Sequence, residues 1–388
     1  MQKVRMGMVG GGPDAFIGTI HRMAAALDGQ IELCCGVFSR DADVSKTFGA
    51  TLGLPAARVY GDFTSMIEGE AALPDNERMH FLAIVTPNDT HHAIADLAMA
   101  NGFHVMCDKP ATLTLDESLK LKKRVEETGL LFGLTHTYTG YPMVKEAKAR
   151  VEQGELGTIV KVVAEYHQGW LARKVVDESS KQAAWRLDPK QSGASCTMGD
   201  IGVHAANLAE YVTGLEITEI LADLGSVESH RKLDDDGSVL LRFSNGARGV
   251  LMASQISLGE ENCLRLRVYG DKGALEWQQE EPNSLLIKWG DKPVQILRAG
   301  QAYLSAASLN NVRTPPGHPE GYIEAFANLY QGFVIAIRAR LDGRSEASNA
   351  AANDVPGIDA AIRGMAFIEQ TVSNSAMGGK WQKLQIPD

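Results

Sequence analysis

Over its first third the chain alternates two hydrophobic rhythms. Short, mostly apolar runs at 4–9, 31–38, 81–85, 103–107 and 130–134, with a brief one at 59–60, predict buried strands; that at 81–85 is wholly apolar. Between them, residues 17–27, 41–52, 63–67, 94–101 and 115–128 carry apolar positions at helical spacing. Gly102 and Gly129 each close one of these helices, and Asp116 and Glu117 sit in the first turn of the one that Gly129 closes. Strand and helix in strict alternation imply right-handed βαβ units and a mostly parallel, doubly wound sheet.

After about residue 138 the rhythm changes. A helix over 142–153 is followed by alternating, half-buried strand patterns at 159–166, 217–224, 238–243, 247–254, 263–269 and 274–278. Asn245-Gly246 and Asp271-Lys272-Gly273 are hairpin turns between such strands. The acidic triplet Asp234-Asp235-Asp236 reads as a solvated turn. Helices return at 322–340 and 359–373. The expected architecture is α/β. A dinucleotide-binding domain of the Rossmann type covers 1–138, and an α+β domain with a large, mostly antiparallel open sheet covers 139–388.

Composition narrows the function classes. At 388 residues the chain is too long for one ordinary core. A net charge of -10 argues against nucleic acid or an anionic membrane as partner. Five scattered cysteines without metal-ligand spacing fit reduced thiols, so no metal is expected. The N-terminus runs straight into a strand and no apolar run is long enough for a membrane span, so a cytoplasmic protein is expected.

Candidate chemistry gathers at strand ends. Gly10-Gly11-Gly12 closes the first strand, and with Ala15 it fits the Gly-x-Gly-x-x-Gly/Ala fingerprint of a pyrophosphate-binding turn. Pro13-Asp14-Ala15 reads as an insertion before Phe16 and Ile17, which open the helix. Ser39 and Arg40 end the second strand where NAD-specific sites usually carry an acid, so NAD and NADP both remain open. Asp108-Lys109-Pro110 ends another strand at the edge where open α/β sheets bind ligands. Asp200 and His204, four apart at the start of a predicted helix, share one face, and histidine suits proton transfer near neutrality. Taken alone, Asp200 also suits a helix cap and His204 a core histidine. His167, Trp170, Trp185 and Arg186 combine rings with hydrogen-bonding groups, as a polyol pocket needs, and His318 sits in a rigid Gly/Pro loop.

Together these segments resemble the Gfo/Idh/MocA family, the glucose–fructose oxidoreductase and inositol dehydrogenase group. The matching residues are Gly10 to Gly12, Thr86-Pro87-Asn88 with His91, the run from Gly102 to Pro110, and Gly199-Asp200-Ile201-Gly202-Val203-His204. The family's Glu-Lys-Pro is Asp108-Lys109-Pro110 here, and its acid three residues after the motif histidine is Asn207. The resemblance implies that Thr86, Pro87, Asn88, His91, Asp108 and Lys109 face the dinucleotide. It also implies that Tyr138 and Tyr141 line the substrate pocket. His204 would take the hydroxyl proton, Lys109 would hydrogen-bond the same oxygen, and Asp200 would orient the substrate. The implied activity is an NAD(P)-dependent dehydrogenase acting on a secondary hydroxyl of a sugar, glycoside or inositol, in a homodimer or homotetramer. Two alternatives stand beside it: a glycoside hydrolase that oxidises its sugar transiently with NAD, and a non-catalytic nucleotide-binding sensor.

Overall fold

The structure, a computed structural model, describes residues 2–13, 15–172, 181–344 and 354–387. Two compact units emerge, one of Met1–His136 with Phe326–Ile362, the other of Thr137–Ala325 with Arg363–Asp388. The boundary expected near 138 thus falls beside His136, but 326–362 leaves the expected second domain for the first. Aromatic packing is the reason: the Phe81 ring lies 5.5 Å from Phe333 and 6.3 Å from Tyr330.

In the first unit, β1 (Val4–Gly10), β2 (Ile31–Val37), β3 (Phe81–Val85), β4 (His104–Cys107) and β5 (Phe132–Leu134) form a sheet of order β2-β1-β3-β4-β5. Every neighbouring pair is parallel. The run at 59–60 contributes only an isolated bridge from Val59 to Gly36. Strand order reverses beside β1, which opens a crevice at the carboxyl ends of β1 and β3. The helix Phe16–Leu27 returns from that edge, and its Gly18 is pressed against the glycine turn. A Cβ on Gly18 would lie 2.2 Å from the Gly11 Cα, far inside contact distance.

The second unit holds a nine-stranded sheet: β6 (Ile159–His167), β7 (Ile217–Gly225), β8 (Asp236–Phe243), β9 (Arg248–Ser254), β10 (Cys263–Gly270), β11 (Gly273–Gln278), β12 (Ser284–Trp289), β13 (Gln295–Arg298) and β14 (Gln382–Lys383). Its order is β13-β12-β11-β10-β6-β9-β8-β7-β14. The pairs are antiparallel except β6 with β9. Alternate residues such as Val162, Ala164, Leu264, Leu266 and Val268 face a core completed by the helix Val203–Thr213. The sheet has three strands beyond the six expected: the apolar run 284–289 pairs with β11, β13 lies beyond it, and β14 pairs with β7 at the other edge.

The helix carrying Gly18 tolerates no side chain at that position. Gly18→Ala is expected to lower stability by about 1–3 kcal/mol through overpacking and to weaken dinucleotide binding. Urea unfolding and NADH fluorescence titration check both effects.

Candidate active site

The glycine turn is built for close approach. Gly10 and Gly11 adopt φ of 93° and 68°, and a Cβ on Gly12 would meet the Phe38 carbonyl oxygen at 1.9 Å. Such a bare cradle at a helix N-terminus suits a pyrophosphate. The third small residue is Gly18, not Ala15 as expected. Ala15 merely precedes the helix, its side chain making no capping bond, because the insertion displaces the helix start. Within that insertion, Asp14 lies outside the described residues. Phe16 is exposed and Ile17 half-buried at the helix start. Arg22, one turn on, donates to the Gly11 carbonyl at 2.6 Å and lies over the Phe48 ring.

At the end of β2, the Ser39 hydroxyl accepts from the Asp41 N–H at 3.1 Å. The Arg40 side chain is 82% exposed and its guanidinium stands 4.0 Å from Asp89. The Thr86-Pro87-Asn88 loop leaves β3 with Asn88 buried. His91 departs from expectation. It is fully buried, with Nδ1 2.8 Å from the Pro110 carbonyl oxygen and Nε2 2.8 Å from that of Thr86. Both ring nitrogens are thus spent on backbone, so His91 ties the β3 loop to the β4 loop rather than facing a dinucleotide.

Beyond β4, Asp108 is fixed from two sides. Its Oδ1 accepts from the Lys109 N–H and from the Thr135 hydroxyl, each at 2.8 Å. The Lys109–Pro110 peptide is cis. Buried His136, which follows β5, is pushed down to about 3 by burial first and by the Lys109 charge second. Buried His21 is lowered to about 4, chiefly by burial against a raising influence of Asp108, and its Nδ1 lies 2.7 Å from the Tyr330 hydroxyl.

In the second unit Asp200 lies in a π-helical turn, Met198–Gly202, and the α-helix proper begins at Val203. π-turns recur at functional sites. A cap from elsewhere allows this one: half-buried Asp234 accepts from the Ser195 hydroxyl at 2.9 Å and from the Cys196 and Met198 N–H groups at 3.1 and 3.0 Å. The triplet Asp234-Asp235-Asp236 is therefore not a wholly solvated turn: Asp235 is buried and paired with Arg231 at 2.6 Å, and only Asp236, which opens β8, is exposed. Asp200 is freed from capping, and its Oδ2 accepts from Gln255 Nε2 at 2.9 Å and Arg186 Nε at 3.1 Å. His204 is nearly buried, its ring edge-on to Tyr138 at 4.9 Å.

The expected substrate residues divide. Tyr138 is drawn to His204, and its hydroxyl bonds that of Tyr166. Arg186 grips Asp200 and lies over the Trp185 and Trp170 rings at 4.4 and 5.9 Å. Trp170 Nε1 donates to Gln168 at 3.1 Å. Tyr141 lies in the same core as Tyr138 but toward Trp277, its ring 5.3 Å from that one, where Pro142 starts a buried helix. His167 Nδ1 lies 3.2 Å from the Ser257 hydroxyl, and exposed His318 lies 3.2 Å from the carbonyl oxygen of Pro315 in its own turn.

Sequence reasoning missed Gln168, Gln255, Asn262 and Tyr166. Gln168 and Gln255 follow directly on β6 and β9, whose register pairs His167 with Ser254. A parallel pair within an otherwise antiparallel run was the signal, and it is invisible until strands are paired.

A parallel sheet with a bare glycine cradle, a lysine at its ligand edge and a separate carboxylate–histidine turn defines a dinucleotide-dependent oxidoreductase. Residues 4–136 match the model of an oxidoreductase family with an NAD-binding Rossmann fold, and residues 144–276 that of a GFO/IDH/MocA C-terminal domain. The chain belongs to the Gfo/Idh/MocA family of oxidoreductases. It is 35% identical to the uncharacterized oxidoreductase YfiI of Bacillus subtilis, over 97% of this chain and 96% of that one. An inositol dehydrogenase homolog from Azotobacter vinelandii complexed with NAD+ superposes with a TM-score of 0.94 at 34% identity, covering 98% and 97% of the two chains. An oxidoreductase from Sinorhizobium meliloti is 42% identical over 99% of this chain and 100% of that one, with a TM-score of 0.87.

The neutral histidines set an acid limit. His21 and His136 resist protonation when folded, whereas the unfolded chain takes up protons below its ordinary histidine value of about 6.5. Stability is therefore intact above that pH and falls as pH drops from about 6.5 toward 4 and then 3, by roughly 3 kcal/mol or more for each group in full. Urea midpoints at descending pH should show this decline, with a shallower slope in His21→Gln.

Proposed function

We propose that the protein is an NAD(P)-dependent dehydrogenase that oxidises a secondary hydroxyl of a sugar, glycoside or inositol. The observation that carries this reading is the Asp200–His204 turn, held in a buried polar frame and lined by Tyr138 and the Arg186-capped tryptophans. Rings beside charged and amide groups match a ring-shaped, hydroxyl-rich substrate. Relatives agree in kind: a levoglucosan dehydrogenase from Pseudarthrobacter phenanthrenivorans is 26% identical over 83% of each chain, and the Azotobacter homolog has also been solved with NADH and myo-inositol.

Gly10, Gly12 and Gly18 would hold the dinucleotide's pyrophosphate, with Thr86, Pro87, Asn88 and Asp108 along its path and Ser39 and Arg40 at the adenosine ribose. Arg40 offers the charge that a 2′-phosphate needs, and no acid stands at Ser39 to demand a bare ribose. When bound, the dinucleotide supplies the hydride acceptor. His204 takes the hydroxyl proton, and Lys109 hydrogen-bonds the same oxygen to stabilise developing alkoxide. Asp200 orients the hydroxyl and balances the local positive charge. The five cysteines are all free, in keeping with a cytoplasmic enzyme, and a homodimer or homotetramer completes the proposal.

A panel of inositols, aldoses and glycosides, assayed with NAD and NADP separately by reduced-nicotinamide absorbance, tests this reading. His204→Ala and Lys109→Met are each expected to lower kcat/KM by about 10²–10⁴-fold, His204→Ala leaving NADH binding unchanged. Nucleotide binding without turnover of any polyol would refute the proposal, and glycoside cleavage without net NADH would replace it.

A further inference from the structure

Gln255 occupies a position that no role given above explains. It is fully buried directly after β9, and its backbone N–H donates to the Asp235 carbonyl at 2.9 Å. Its side-chain Oε1 accepts from the Thr197 hydroxyl at 3.1 Å and from the Cys196 thiol at 3.3 Å. Two donors on Oε1 leave Nε2 for the other side, which fixes the amide's orientation. Nε2 then donates to Asp200 Oδ2 at 2.9 Å and reaches Gln168 Oε1 at 3.5 Å.

The frame continues past Gln255. Gln168 Nε2 donates to Asn262 Oδ1 at 2.7 Å, and the Tyr166 hydroxyl donates to the same oxygen at 2.8 Å. Tyr166 joins Tyr138, whose ring meets His204. One chain of side chains, buried at Gln255, Tyr166 and Tyr138 and half-buried at Gln168 and Asn262, thus starts at the Asp200 carboxylate and ends against the His204 ring. Charged or titratable groups facing Asp200 are Arg186 from the helix Lys181–Arg186, Cys196 ahead of the π-turn, and Tyr138 and Tyr166 from the frame.

We propose that Gln255 is a positioning residue that holds Asp200 ionised and turns its carboxylate to the reacting hydroxyl, through an amide locked by Thr197 and Cys196. This rests on the reading of Asp200 and His204 as the groups that act on the substrate. Amide donation to a carboxylate favours its charged form. Loss of that donor loosens the hold on the Asp200 carboxylate, and misplacement by about 1 Å costs roughly 10²-fold in rate.

The test compares Gln255→Glu, Gln255→Leu and Asp200→Asn with the parent, each checked for folding by circular dichroism and for NADH binding by fluorescence. The pH profile of kcat/KM is measured on myo-inositol, or on the panel sugar that the parent oxidises. In Gln255→Glu two carboxyls share a site and retain a proton to higher pH, so the acid limb should move up by about one pH unit or more. Gln255→Leu should lower kcat about tenfold or more with NADH affinity unchanged. A parental profile and kcat in both variants, with Asp200→Asn inactive, overturns the role of Gln255. Parental activity in Asp200→Asn instead overturns the underlying reading. If the variants at 255 fail to fold, Thr197→Val removes one lock on the amide; a lowered kcat supports the proposal and a parental kcat overturns it.

Discussion

The carboxylate of Asp234 is the constraint on which the second unit's chemistry rests. It caps Ser195, Cys196 and Met198 at the entrance to the π-turn, and burial raises its pKa against the pull of those donors. An open helix N-terminus in the interior would leave N–H groups unpaired, at a cost of about 1–3 kcal/mol each. With the cap supplied from the segment before β8, Asp200 need not serve it, and a carboxylate in the first turn is released for Gln255 and Arg186. Residue order alone leaves open whether Asp200 caps its own turn; Asp234, 34 positions away, takes that task.

Much of the fold was legible because it depends on local periodicity. The five strands of the first sheet follow from mostly apolar runs, and the glycine turn, the lysine–proline elbow and the Asp200–His204 spacing all stand in continuous sequence. What was not legible depends on pairing. Nothing around 326–341 says that Phe333 and Tyr330 pack on Phe81. Gln255 looks like an ordinary polar residue after a strand until β6 and β9 are set in parallel. His91 was read as a ligand because its loop faces the right edge, yet two carbonyl oxygens claim its ring. Ala15 took the third glycine's place in the fingerprint because the spacing was counted through an insertion. Gly18, in the helix-like segment just beyond, was the better residue.

The two units place chemistry by a common rule from different materials. In the first, parallel strands end together and present Gly10, Thr86, Asp108 and Thr135 at one edge. In the second, the parallel pair β6 and β9 brings Gln168 and Gln255 side by side. Parallel strands share a direction, so residues that follow each strand emerge at the same end, whereas antiparallel neighbours send theirs to opposite ends.

Arg40 sits differently from all of these. Its side chain projects into solvent and its one described ion pair, with Asp89, is long. Pairs of that kind contribute about 0–1 kcal/mol, so replacing the arginine costs the fold almost nothing. On the role proposed for it, the choice between a phosphorylated and an unphosphorylated dinucleotide is written where selection can edit freely. Preference can then change without disturbing the frame around Asp200.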